Sequence, residues 1–436
     1  MAQLIEFSVG NFKSIRDRVH LSMVAAKKLA SEHPSLDHDA TIEVLPHDAL
    51  LRSAAIYGAN ASGKSNLLAA LRFMKRLVLN SSKESATDQP IDVEPFLLGV
   101  QADKPSFFEV VFLMDGETIR YGFEVSVKRV HAEWLFARKG ESKEASIFSR
   151  TEERVEVSSP RFKDGKGLEE RTRPNALFLS VVAQFNGKLA SSVQRWFANS
   201  LKIISGLDDT GFVNYTVEAC ENEDRRAAVL NFVRAMDVGI DGISISKVPF
   251  SESVSRKMPA ELKELLSKLG HHEVARVATT HRRFDADGNE IGRELFDISR
   301  HESEGTKKVF ALAGPILDTL AAGRVLLIDE LDARLHPLIT LSLIRLFNSR
   351  DTNSKNAQLV FTTHDTNMLQ RDVLRRDQVW FVEKDRGGGT TLYSLLEYKP
   401  RNDSAISKNY IQGRYGAVPF IGDLGALVDS FGADAE

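Results

Sequence analysis

The chain has 436 residues, room for two or three domains, with 42% hydrophobic and 27% charged residues, the balance of an ordinary soluble protein. Its formal net charge is −3, so any basic surface for nucleic acid must be local. A single cysteine, Cys220, excludes an internal disulfide framework and a cysteine-based zinc site. Without a basic-then-apolar leader, or an apolar run approaching the roughly 20 residues of a membrane span, the expectation is a cytoplasmic protein with no membrane partner.

Residues 2–9 alternate as a strand, Asn11-Phe12-Lys13-Ser14-Ile15 turns, and residues 19–24 return as a second strand. A loop containing Pro34 and Pro46 follows. Then apolar Ala54-Ala55-Ile56-Tyr57 runs into Gly58-Ala59-Asn60-Ala61-Ser62-Gly63-Lys64-Ser65, which fits G-x-x-x-x-G-K-[ST] between a strand and a helix. Gly58 and Gly63 let the backbone turn tightly, so that consecutive N–H groups face a phosphate. Lys64 reaches the β- and γ-phosphates, the Ser65 hydroxyl ligates Mg²⁺, and the helix offers its positive end to the anion. Asn60 and Asn66 join the expected nucleotide-binding set. Leu67, Leu71, Met74 and Val78 recur at helical spacing and mark a buried face. The implied ligands are ATP and Mg²⁺.

From Phe107 to Phe136 the pattern has period two, with a hairpin signal at Asp115-Gly116. Residues 130–137 and 146–157 continue the antiparallel pattern. Residues 160–275 read mainly helical, at 191–197, 222–236 and 260–269, without the sustained heptads of a coiled coil. Residues 274–298 read as a hairpin turning at Asp287-Gly288-Asn289; the Asp285–Glu290 stretch lacks the full spacing of a calcium loop. From Ser303 helices and strands alternate as in an α/β domain. A helix runs to about Ala322, with a kink expected at Gly314-Pro315, and Gly323 closes it. Strands follow at 325–328, 358–361 and 378–382, with a helix at 338–347. The predicted divisions are 1–80 (P-loop part), 81–160 (antiparallel β), 161–275 (mainly helical insert) and 276–436 (C-terminal part).

Val325-Leu326-Leu327-Ile328-Asp329-Glu330 is a buried strand ending in two acids. Asp329 is placed to hold Mg²⁺ directly or through water, and Glu330 to act as general base on the attacking water. Leu359-Val360-Phe361-Thr362-Thr363-His364 puts a histidine at a strand's carboxyl end, where open α/β sheets bind ligands. His364 is expected to contact the γ-phosphate and orient the water, so Glu330, His364 and Lys64 form the predicted catalytic set. Arg371, Arg375 and Arg376 are either a contact for nucleic acid or a partner, or simply a solvated face. Residues 408–420, dense in aromatics and glycine, suggest packing or a docking surface.

Several stretches together resemble one family: residues 7–15 (Phe-Ser-Val-Gly-Asn-Phe-Lys-Ser-Ile), 57–66, 303–307 (Ser-Glu-Gly-Thr-Lys), 326–337, 361–367 and 412–419. They are similar to prokaryotic AAA-type ATPases of the RloA/AbiL kind, related to the OLD, RecF and SMC ATPases of the ABC superfamily. The resemblance implies an α/β ABC-type P-loop head with an antiparallel β subdomain and an inserted mainly helical subdomain. It implies a homodimer or higher assembly with ATP sandwiched between protomers. Ser303 and Gly305 would then close on the γ-phosphate of the opposite protomer, although Glu304 and Thr306 depart from the usual Ser-Gly-Gly-Gln. Asp332 would link the two nucleotide sites, Lys13 would reach the nucleotide as in SMC-like ATPases, and Gln184 is a candidate for the Q-loop role. The resemblance further implies phage defence by abortive infection beside a separately encoded effector, often a nuclease of RloB or TOPRIM type. Alternatives are a RecF- or SMC-like clamp on nucleic acid, an OLD-like nuclease, for which too little chain follows His364, and a transporter ATPase.

Overall fold

A computed structural model describes residues 2–27, 34–43, 48–83, 89–99, 103–206, 210–249, 273–400 and 405–420. The helix expected at 260–269 and Pro46 lie outside the described residues. Two compact units emerge, one of residues 1–204, 323–330 and 344–436, the other of 205–322 and 331–343.

The first unit holds two sheets. One is antiparallel, in the order Val155–Val157, Ala145–Arg150, Val130–Lys139, Glu117–Val125, Ser106–Met114, Leu4–Gly10, Val19–Ser22. The other runs Leu201–Ser205, Val325–Asp329, Gln358–Thr363, Ser53–Tyr57, Val379–Lys384, Thr390–Ser394. Its acid strand, histidine strand, P-loop strand and Val379–Lys384 are mutually parallel. Every residue of Ser53–Tyr57 is buried, which explains its continuous small and apolar sequence. The helix Lys64–Asn80 packs against strands of both sheets. Leu67, Leu71, Met74 and Val78 are buried as their spacing predicts, and Phe73 meets Phe108 and Phe12 at ring centroids of 4.9 and 5.7 Å. This is the α/β head with an antiparallel β subdomain that the sequence led us to expect.

Two sequence readings need correction. The loop after the second strand contains a helix, Pro34–Asp39, and an antiparallel strand pair, Thr41–Glu43 with Ala49–Leu51; elements this short carry too little periodicity to register. The arginine run is largely consumed inside the fold. Arg375 is buried, bonding Asp377 at 2.7 and 3.0 Å and Asp37 at 2.6 Å, and Arg376 donates to the Pro400 carbonyl.

Residues 406–418 pack rather than trail. From the helix Ile406–Ile411, Tyr410 stacks on Phe381 at 5.3 Å and meets Tyr57 at 5.7 Å. Tyr415 stacks on the same Phe381 at 5.8 Å. The Tyr410 hydroxyl donates to the Ala417 carbonyl at 3.0 Å, and the Ala417 N–H donates to Glu383 at 2.9 Å.

The second unit contains an antiparallel sheet of Gly242–Pro249, Glu273–Phe284 and Glu290–Asp297. Its helices include Thr210–Ala219, Glu223–Ala235 and Glu304–Ala322. The hairpin turns as expected, with the Asp285 carboxylate accepting the Asp287 and Asn289 N–H groups. Helix Glu304–Ala322 runs through Pro315, which has no N–H to offer the Ala311 carbonyl one turn back. The Thr216 hydroxyl supplies the missing donor at 3.0 Å and accepts the Gly314 N–H at 3.1 Å. Thr216 sits so close that a Cβ on Gly314 would lie 2.6 Å from its Oγ1. Thr216→Val, with the same shape but no hydroxyl, is therefore expected to cost about 1–3 kcal/mol by leaving a buried carbonyl unpaired; a chemical-denaturation midpoint equal to wild type would refute this.

Candidate nucleotide-binding site

The parallel sheet brings the chemistry together because three of its adjacent strands end on the same side. Ser53–Tyr57 delivers the P-loop, Val325–Asp329 the acids and Gln358–Thr363 the histidine. A cavity of about 510 Å³ is lined by Asn60 to Asn66, Glu330, His364 and Lys384. Gly63 adopts φ +111°, which L side chains rarely adopt, and a Cβ on Gly58 would lie 2.3 Å from the Val382 carbonyl. Both glycines are thus required by the backbone path. The Lys64 ammonium donates to the carbonyls of Gly58 and Ala59 at 2.8 and 3.0 Å, folded over its own loop.

The acids are held by a residue that carries no motif signal. The Thr362 hydroxyl donates to Asp329 Oδ1 and accepts the Glu330 N–H, each at 2.7 Å. Glu330 itself sits at φ +55°, a conformation costing a non-glycine residue about 1–3 kcal/mol and concentrated at functional sites. That turn carries the Glu330 side chain to the cavity wall. Asp329 itself is not among the residues lining the cavity.

Lys384 was also missed by the sequence reading. It ends the strand beside the P-loop strand and adds a second cation to the cavity. Nothing in its local sequence separates it from an ordinary strand-end lysine. Lys13 is not among the residues lining this cavity, and its ammonium pairs with Glu94 at 3.1 Å. Gly58 borders a neighbouring cavity of about 1070 Å³, shared with His364 and walled by Tyr410 and Val418. Gln184 is exposed at the end of the helix Phe178–Gln184.

Ser303, Gly305 and Asp332 belong to the second unit. The Ser303 hydroxyl caps helix Glu304–Ala322, accepting the Thr306 N–H at 3.1 Å. Glu304, the awkward acid of this segment, bonds Lys307 at 2.8 Å and Arg334 at 3.3 Å. The Lys307 hydrogen bond and charge, with Arg334, hold its carboxyl below the usual glutamate range.

The donors present suit Mg²⁺. The ion takes hard oxygen ligands, keeps several waters, and is usually bound through one or two protein groups plus substrate phosphates. Ser65 lines the cavity, Asp329 ends the strand on the far side of the histidine strand, and no cluster of three or more metal-ligating side chains occurs among the described residues. The Ser62 hydroxyl is buried within the P-loop without a hydrogen-bond partner among the described residues, as expected of a cradle shaped around a polar guest.

Residues 53–369 match the family described as "AAA domain, putative AbiEii toxin, Type IV TA system". The chain belongs to this AAA family. Membership and the P-loop geometry agree on an ATPase-type nucleotide domain. None of the curated proteins matches the chain. Among solved structures it is similar to the SMC head domain from Thermotoga maritima, at 15% identity over 90% of this chain and 98% of that one, with a TM-score of 0.40. An SMC head bound to the C-terminal winged-helix domain of ScpA shares 14% identity over 91% and 99%, at 0.45. The recombination mediator RecF with ATP shares 14% over 90% and 99%, at 0.33. At such scores the likeness is too loose to transfer chemistry to this AAA chain. No described helix is long and apolar enough to cross a membrane.

Proposed function

We propose that this AAA protein hydrolyses ATP in an ABC-like nucleotide-sandwich homodimer, and that the ATP-driven dimer controls a separately encoded effector of the nuclease type in defence against phage, in the manner of the RloA/AbiL ATPases. The observation that carries the reading is the single cavity joining P-loop residues 60–66 to Glu330 and His364. In it, loop N–H groups and Lys64 bind the phosphates, Glu330 takes the proton of the attacking water, and His364 orients that water against the γ-phosphate. Ser65 and Asp329 would hold Mg²⁺, which supplies charge neutralisation at the transferred phosphoryl group. In this reading the head is formed by residues 1–80 and 276–436. Ser303, with exposed N–H groups at its helix start, would meet the partner protomer's γ-phosphate, and Asp332 would link the two sites. The defence role rests on the family's description as a putative toxin of a type IV toxin–antitoxin system.

The test is the mass of the purified chain with and without Mg-ATP, alone and co-expressed with its genomic neighbours. Mass should double with ATP, and one neighbour should co-purify in fixed stoichiometry. Ser303→Arg, which places a long cation on the proposed trans contact, should abolish the doubling. A Ser303→Arg protein that still dimerises and hydrolyses at the wild-type rate removes the sandwich; a bare dimer with no partner removes the effector and points to a clamp on DNA.

A further inference from the structure

The Asn-Phe-Lys-Ser turn near the N-terminus attracts attention through its lysine, yet it is the serine that touches the nucleotide loop. The turn is rigid: Phe12 and Ile15 exchange both backbone hydrogen bonds at 2.8 Å, and the Asn11 side chain bonds the backbone of Lys104 and Phe96. It presents Ser14 to two partners at 2.7 Å each, the Asn66 amide and the Thr390 hydroxyl. Thr390 also receives the turn's backbone, its N–H donating to the Ser14 carbonyl at 2.7 Å. In addition the Thr390 hydroxyl donates to the Ser62 carbonyl at 2.9 Å in a buried contact.

The order of protons follows from counting them. Each hydroxyl has one hydrogen to give. Thr390 spends its own on the Ser62 carbonyl, so Ser14 must donate to Thr390, and Ser14 in turn accepts from the Asn66 amide. The result is a one-way chain, Asn66 to Ser14 to Thr390 to Ser62, which closes a ring around the Ser62–Asn66 segment of the P-loop. Such chains reinforce each bond through polarisation.

This ring has a direct effect on the phosphate cradle. In a trans peptide the carbonyl and the following N–H point in opposite directions. Fixing the Ser62 carbonyl on Thr390 therefore turns the Gly63 N–H away from Thr390, and Gly63 lines the cavity. The approach is so close that a Cβ on Gly63 would lie 2.2 Å from Thr390 Oγ1. The hairpin bearing Thr390 is itself anchored: Asp385 pairs with Arg16 at 2.8 Å and accepts the Gly387 and Gly389 N–H groups.

We propose that Ser14 and Thr390 are positioning residues of the nucleotide site, clasping the P-loop so that its amides are preorganised for a nucleoside polyphosphate. The inference rests on the ATP-binding reading above. Its test measures Mg-ATP affinity, KM and kcat for wild type, Thr390→Val, Thr390→Ser, Ser14→Ala and the double variant Ser14→Ala/Thr390→Val. Thr390→Val should weaken ATP binding and raise KM about tenfold, as loss of one buried hydrogen bond in the cradle implies, while kcat at saturation stays within about twofold. Thr390→Ser should restore affinity. Because the bonds form one chain, the double variant should lose little more than either single one. Wild-type affinity in Thr390→Val, equal losses in Thr390→Val and Thr390→Ser, or additive losses in the double variant each overturn the clasp. If Thr390→Val does not fold, Ser14→Ala carries the same affinity test. A wild-type chain that binds no ATP would overturn the ATP-binding reading itself, and is distinguished from failure of the clasp by that result alone.

Discussion

Glu330→Gln is expected to bind Mg-ATP as wild type does and to hydrolyse it at least about a hundredfold more slowly, the lower end of what a positioned general base contributes. The substitution is close to isosteric, so the backbone at φ +55° and the bond from the residue 330 N–H to Thr362 should survive. What disappears is the ability to accept a proton. The ATP-bound form should therefore accumulate, and with it the proposed ATP-held dimer. Quenched-flow release of phosphate, read beside solution mass, separates the two effects. Hydrolysis at the normal rate would assign the base elsewhere, and His364, on the same cavity wall, would be the next residue to replace.

Glu133→Ala is expected to cost about 3–5 kcal/mol of stability, the usual result of removing one partner from a buried charge network. Glu133 is fully buried. It accepts the Phe178 and Leu179 N–H groups at 2.6 and 2.9 Å and the Tyr121 hydroxyl at 2.9 Å, with Arg150 at 3.7 Å. It thus caps the helix Phe178–Gln184, whose own N-cap residue, Leu177, has no side chain able to do so. Alanine would strand three donors at once. Glu133→Gln keeps an acceptor and should cost clearly less. Burial pushes the Glu133 carboxyl above its ordinary value of 4.5 despite Arg150 and the hydrogen bonds, and burial likewise lowers the Arg150 guanidinium. With the folded value above the unfolded one, this carboxyl favours the fold fully below about pH 4.5 and loses that contribution as pH rises through its raised value. Denaturation midpoints that are the same for wild type and Glu133→Ala would refute the argument.

The parts of the site written in consecutive residues were legible in the sequence. The P-loop, the acid strand and the histidine strand each carry their own local pattern, and all three occupy adjacent strands. The antiparallel hairpins were equally visible, because Asp115-Gly116 and Asp287-Gly288 punctuate runs long enough to show a period. What escaped notice depends on distant residues meeting. Thr362 reads as a strand residue, and only its reach to Asp329 gives it a task. Thr390 and Ser14 are far apart in the chain and ordinary in composition. Lys13 is expected at the nucleotide by the resemblance to SMC-like ATPases, and its ammonium pairs with Glu94. Glu133 carries no local signal of its burial, which follows from the helix start that it serves.

The strand that delivers the P-loop has a consequence for how the protein is made. Ser53–Tyr57 lies between Gln358–Thr363 and Val379–Lys384, pairing Ser53 with Leu359 and Ala55 with Val379. Both neighbours leave the ribosome long after it does. Until they arrive, a strand of mostly apolar residues has two open edges, the configuration most exposed to wrong pairing. Nascent chains that stop short of Val379 thus carry a complete phosphate-loop sequence on an unfinished sheet. Translation reaches nucleotide competence late, and a growing chain has every reason to be shielded until then.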